Sequence, residues 1–282
     1  MTETSSSRWP VVCPHCGQGL AAISAEGRLR GLRCPAGHRF DAAKQGYVNL
    51  TAGQRLKLTP DTAEMIMARE RIQQAGVFDA LSSALAETLT GEDQVIADCG
   101  AGTGHYLHRL LNESPGGRGI ALDISPAGLR RAAKHPRTLA LVWDLWQPLP
   151  VGSESVSSVL NVFAPRNPAE YARILTPGGQ AVVVIPLAEH LVQLQQHGLI
   201  AQQPDKRRHL QDQMAPHLGR PTQAQEVRAE VPVSPETAAD LIRMGPAGHH
   251  RSQEEVLDAV GASGIRTVTV AAEVLIWQKV PG

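Results

Sequence analysis

The stretch Val95-Ile96-Ala97-Asp98-Cys99-Gly100-Ala101-Gly102-Thr103-Gly104 decides how this chain is read. An apolar run ends in an acid and passes into a loop with glycine at every second position, the pattern of a first β-strand turning tightly into a helix. Glycine lets backbone approach a ligand where a Cβ would clash, and it permits positive φ. The helix that follows offers unpaired N–H groups at its start. A dinucleotide fingerprint would read G-x-G-x-x-G, with a pyrophosphate on that helix end. Here the order is Asp-x-Gly-x-Gly-x-Gly. An acid ahead of the glycines repels a pyrophosphate and suits a ligand with a cationic amino group, such as the methionine part of S-adenosylmethionine (AdoMet).

Downstream, Gly119-Ile120-Ala121-Leu122-Asp123 reads as a second strand ending in a carboxylate that can accept bonds from both hydroxyls of a ribose. Ser125-Pro126 then gives a helix N-cap followed by proline at the first helical position. Leu141-Val142-Trp143-Asp144 is a third strand ending in an acid, placed to contact an adenine amino group. Candidate cofactor contacts are therefore Asp98, Gly100, Gly102, Thr103, Gly104, Asp123 and Asp144. Pattern and order resemble class I AdoMet-dependent methyltransferases, and Arg173-Ile174-Leu175-Thr176-Pro177-Gly178-Gly179 resembles their turn before the fifth strand. The resemblance implies an α/β, Rossmann-like fold with a mostly parallel seven-stranded sheet. The plain alternative is a generic βα glycine loop; three acid-tipped strands and the Pro-Gly-Gly turn favour the cofactor site.

A chain of 282 residues accommodates one sizeable core and a small appendage. Its 42% hydrophobic and 19% charged residues are those of an ordinary soluble protein, and no charged-then-apolar leader or membrane-length apolar run is visible, so a cytoplasmic protein with no membrane partner is expected. Aromatics make up only 4%, so stacking platforms for bases are few. The net charge is zero, but residues 1–60 hold eight Lys/Arg against three acids, a net +5. Such a basic segment suits local phosphate contacts; a solvated charged face is the alternative.

That segment also holds three of the four cysteines. Cys13-Pro14-His15-Cys16, seventeen residues, and Cys34-Pro35-Ala36-Gly37-His38 make C-x2-C-x17-C-x3-H, a Cys₃His set with the spacing of a tetrahedral zinc site. Four ligands leave no open position, so one structural Zn²⁺ on Cys13, Cys16, Cys34 and His38 is expected, with His15 pointing outward. Between the ligand pairs, 20–23 and 28–32 read as a hairpin around Glu26-Gly27. Without the metal about forty residues could not bury enough surface to fold. The expected organisation is a disordered tail at 1–8, a zinc-binding module at 9–50, a linker at 51–60 and a methyltransferase domain at 61–282.

HRFDAAKQGYVNL at 38–50, joined to the zinc ligands and followed by DTAEMIMARERIQQAG at 61–76, closely resembles the bacterial 23S rRNA guanine-N1 methyltransferases. That family includes housekeeping enzymes of hairpin 35, acting at guanine-745 or guanine-748 type positions, and tylosin-resistance enzymes of antibiotic producers. The resemblance implies 23S rRNA as partner, with a macrolide-resistance role open, and adds Phe78 and His190 to the cofactor contacts. It leaves a homodimer open as the assembly. By the class I fold, Asn161 and the 164–166 loop are where a target base should sit, and the 245–251 loop should face the substrate. The helical stretch 204–218 could track phosphate or be merely solvated. A catalytic base is expected because guanine N1 must lose a proton; Asp144, His190 and the pair His249/His250 are candidates by location only. Competing readings are a small-molecule methyltransferase with an incidental zinc ribbon and an RNA-binding protein whose methyltransferase domain has lost activity. The intact Asp98, Gly100, Gly102, Gly104 and Asp123 argue against loss.

Overall fold

The computed structural model describes residues 3–4, 9–51, 59–92, 94–202, 206–245 and 251–280. Of the tail expected to be disordered, β1 (Glu3–Thr4) pairs antiparallel with β2 (Ala21–Ala25), whose edge offers unpaired backbone groups to any extended segment. β2 turns into β3 (Arg28–Arg33) through Glu26 at φ 52° and Gly27 at φ 70°, two successive left-handed residues that match the twist of a tight hairpin. β4 (Arg39–Asp41) completes this small antiparallel sheet. β5 (Val48–Asn49) then leaves it and pairs parallel with a strand of the second sheet.

α1 (Ala63–Gln74) is capped by Thr62, whose hydroxyl accepts from the Met65 N–H. Sequence favours Asp61 for that role; its carboxylate instead pairs with Arg69 at 2.7 Å. Gly76 at φ 73° breaks the helix before α2 (Asp79–Thr88). The second sheet then follows: β6 (Val95–Cys99), α3 (His105–Glu113), β7 (Arg118–Asp123), α4 (Pro126–Ala132), β8 (Thr138–Val142), β9 (Val156–Val162), α5 (Pro168–Ile174) and β10 (Leu175–Pro186). After α6 (Val192–Gln196) and α7 (Arg207–Leu218), β11 (Gln223–Pro232) and β12 (Thr267–Gln278) flank α8 (Pro235–Arg243) and α9 (Gln253–Ser263). The strand order is β11-β12-β10-β9-β6-β7-β8-β5. β5 to β10 run parallel, and β11 and β12 pair antiparallel at one edge. The expected seven strands are present; the eighth, β5, comes from the N-terminal module.

The central strands read as continuous apolar runs because helices cover both faces. Ala181, Val182, Val183, Val184 and Ile185 are all buried, alternating between two clusters. One cluster joins the module to the sheet: Trp9, Leu32, Phe40 and Val48 pack together with Leu141, Trp143 and Val151. Val11 bridges to Val151, and the Gly152 N–H donates to the Pro10 carbonyl. The chain leaves β6 toward β7 on one side and returns through β9 on the other, so the topological switch point lies between β6 and β9. Among the described residues no helix is long and apolar enough to cross a membrane.

Candidate functional site

The four donor atoms of Cys13, Cys16, Cys34 and His38 lie within 4.8 Å of one another. Two left-handed glycines, Gly17 and Gly37, close the knuckles, donating to the carbonyls of Cys13 and Cys34. Cys16 Sγ stands 3.7 Å from Cys34 Sγ, and Cys34 Sγ 3.4 Å from His38 Nδ1. A tetrahedral Zn²⁺ with Zn–S of about 2.3 Å and Zn–N of about 2.0 Å spans edges of about 3.8 and 3.5 Å. The donor set therefore fits zinc, with no position left for substrate. His15 is exposed and stacks on Phe40 at 5.7 Å, outside the donor set.

At the carboxyl ends of β6 and β7, Gly100, Gly102 and Gly104 hold φ of 97°, 52° and 79°. A Cβ on Gly100 would lie 2.2 Å from the Cβ of Ala164, and one on Gly104 would lie 2.9 Å from Ala132 Cα. Those two glycines are demanded by the chain's own packing. A Cβ on Gly102 would meet only the flexible Arg69 guanidinium, at 3.1 Å, so this is the glycine that leaves backbone open to a ligand. Asp98, 3% exposed, has no hydrogen-bond or ion-pair partner among the described residues. Burial, and then the neighbouring charge of Asp123, pushes its carboxyl up to about 8. A buried acid without a partner is costly unless a ligand completes it, and a cationic amino group would do so.

Asp123 is arranged differently. Its Oδ2 accepts from the Gly102 N–H at 2.8 Å and its Oδ1 from the Ser125 N–H at 2.7 Å. Each oxygen keeps a further lone pair for a ribose hydroxyl. Burial raises its pKa while the two backbone donors oppose the shift. Thr103 donates its hydroxyl to Gln73 on α1 at 2.7 Å, which fastens the glycine loop to that helix. Asp144 lies two residues beyond the end of β8, half-buried, with Oδ1 accepting from the Trp146 N–H.

Phe78, buried just ahead of α2, stacks against His190 at 6.3 Å and 20°. The imidazole is buried, which lowers its pKa to about 4, and its Nδ1 accepts from the Ala271 N–H. A neutral ring accepting at Nδ1 carries its proton on Nε2. His190 thus keeps a donor at Nε2 and has no free acceptor nitrogen to take a proton.

Asn161 is fully buried; its amide donates to the carbonyls of Cys99 and Pro165 at 2.7 and 2.8 Å. It ties the tip of β9 to the start of the glycine loop, while its buried Oδ1 has no partner among the described residues. His249 and His250, and most of the 51–60 linker, lie outside the described residues. Two site residues escape sequence reading. Arg69 on α1 bridges Asp61 and the Met244 carbonyl above Gly102, but an arginine in an amphipathic helix looks like any solvated one. Phe163 closes β9 beside His190, and a left-handed phenylalanine leaves no mark in the sequence.

An acid-tipped parallel sheet with its glycine loop at the switch point defines a class I AdoMet-dependent methyltransferase. A crystal structure of a methyltransferase from an antibiotic biosynthesis pathway of Anabaena variabilis shares this fold, with a TM-score of 0.54 at 16% identity, over 70% of this chain and 96% of that one. The zinc-ribbon family model described as "RlmA, N-terminal" matches residues 11–55. A Micromonospora griseorubida protein named for 23S rRNA (guanine-N1) methylation is 41% identical, over 95% of this chain and 96% of its own. The 23S rRNA (guanine(748)-N1)-methyltransferase of Streptomyces fradiae is 36% identical over the same shares. This chain belongs to the 23S rRNA (guanine-N1)-methyltransferase family.

Proposed function

We propose that this chain methylates N1 of a guanine in the hairpin-35 region of 23S rRNA with AdoMet as donor, working in the cytoplasm. The carrying observation is the end-to-end likeness to a relative named for guanine-748 N1 methylation, in a chain whose Asp98 waits unpaired beside an open glycine loop. Bound AdoMet supplies an electrophilic methyl carbon on its sulfonium. In this reading Asp98 holds the methionine ammonium, Asp123 the ribose hydroxyls and Asp144 the adenine amino group, while Gly102 leaves room for backbone contact. Phe78 and His190 flank the same cleft. The N1 proton passes to solvent, the negative charge left on guanine spreads to O6, and the Nε2–H of His190 is the protonated group suited to meet it. Transfer otherwise depends on holding N1 in line with the methyl. N1 is engaged in a Watson–Crick pair, so the target must be a loop base or one extruded from its stack.

The test is incubation of labelled AdoMet with an unmodified 23S rRNA hairpin. Label should enter the RNA with the natural chain and fall about 30-fold or more with Asp98→Asn, which leaves the cofactor's ammonium without its counter-charge. Label entering a small-molecule acceptor but no RNA would overturn the reading.

A further inference from the structure

Of the three Phe, three Tyr and four Trp residues, only Phe163 and Trp146 are exposed. Phe163 is also one of four non-glycine residues among those described with positive φ, at 54°. A bulky side chain enters that region only at a cost which glycine escapes. Its N–H donates to the Val184 carbonyl at 3.2 Å, which fixes the backbone just past the paired stretch of β9 and β10. The ring, 40% exposed, recovers little of that cost by burial. It lies 5.3 Å from the His190 ring at 40°, and the next residue, Ala164, packs on Gly100. The fold thus sustains two penalties, backbone strain and a large apolar ring in water, at the tip of β9, next to the residue that packs on Gly100. Strain held at a site points to a use there.

We infer that Phe163 is the platform on which the target guanine stacks once it leaves the RNA hairpin. The inference rests on the guanine-N1 reading given above. An extruded purine loses its stacking neighbours and regains one on an aromatic face. A ring presented at the tip of β9, beside the Nε2–H donor of His190 and next to the residue that covers Gly100, receives the base where its ring edge can face the methyl. The other exposed aromatic, Trp146, stands past the end of β8 and has no such neighbour in the described contacts.

The experiment compares Phe163→Gly and Phe163→Trp with the natural chain on a 23S rRNA hairpin. Glycine accepts φ 54° freely, so Phe163→Gly should melt at the same temperature or higher and bind AdoMet within about twofold of the natural chain. Its kcat/KM for the RNA should fall between about 5- and 150-fold, the range for losing one base–aromatic stack. Phe163→Trp should restore most of that loss. A glycine variant as active as the natural chain, or one that loses cofactor affinity in proportion to activity, overturns the inference. If the natural chain transfers no methyl to the hairpin, the guanine-N1 reading fails, and this inference with it.

Discussion

In residues 9–50 four side-chain donors converge within 4.8 Å and close the ends of a short antiparallel sheet. In residues 95–186 no donor set exists; five parallel strands buried on both faces position Asp98, Asp123 and the tip of β9. One region is ordered by chelation, the other by burial. The contrast ends at their boundary. Trp9, Leu32 and Phe40 of the metal region pack in the same cluster as Leu141 and Val151 of the sheet, and Val48–Asn49 extends the sheet itself. A metal can fix the ends of short loops, but it cannot supply apolar area, so the small region takes its core from its neighbour.

Cys34 is where chelation and burial are most readily separated. Cys34→Ala should release zinc and, because the core is shared, lower the melting temperature of the whole chain by about 10 °C or more, taking a loss of at least about 4 kcal/mol for a structural site. Calorimetry showing the cofactor-binding half melting unchanged in the zinc-free variant would mean that the two regions are independent.

A second, smaller effect separates burial from chelation through pH. Burial raises the folded pKa of Asp98 above its unfolded value, to about 8. The neutral form therefore suits the free protein. Its stability contribution is complete below about pH 4 and is lost as pH rises through 8. AdoMet, bringing a cation, draws out the charged form. Its affinity should rise by up to about tenfold per pH unit between pH 6 and 8, then level off or fall as the amino group itself deprotonates. Titration calorimetry checks this: Asp98→Asn should lose the rising limb, and an unchanged profile in that variant would remove Asp98 from the ammonium site.

The smallest expected effect concerns charge on the metal region. Arg28, Arg30 and Arg33 lie on β3 and are all exposed, with Arg30 3.7 Å from Glu26. Replacing all three by Gln should weaken RNA binding across sequences and flatten its salt slope by up to about 2 to 3, while AdoMet affinity stays put. Parallel salt titrations of equal height would mean these arginines face only solvent.

What could be read from the sequence follows from how local each signal is. The glycine loop, the strands carrying Asp98 and Asp123, the Glu26-Gly27 turn and the zinc spacing are all set by residues a few positions apart, and they lie where the pattern puts them; Asp144 falls two residues past its strand. β5 could not be read, because two residues carry no periodicity and their partner, Leu141–Val142, lies far along the chain. The exchange of Thr62 for Asp61 as the α1 cap depends on Arg69 drawing Asp61 away. The bracing role of Asn161 could not be read either, because the Cys99 and Pro165 carbonyls that take both of its donor hydrogens are brought there by tertiary structure. Ser252-Gln253-Glu254-Glu255 did carry a local signal for α9, a capping box, and its hydrogen bonds form as that motif requires.

Primer extension along a 23S rRNA hairpin, after incubation with this chain and AdoMet, reads the modified base itself, since a methyl on guanine N1 blocks base pairing and halts reverse transcription. One strong stop is expected beside a single hairpin guanine, absent without AdoMet and nearly absent with Asp98→Asn. Full-length product from a natural chain that binds AdoMet and the hairpin would overturn guanine-N1 methylation.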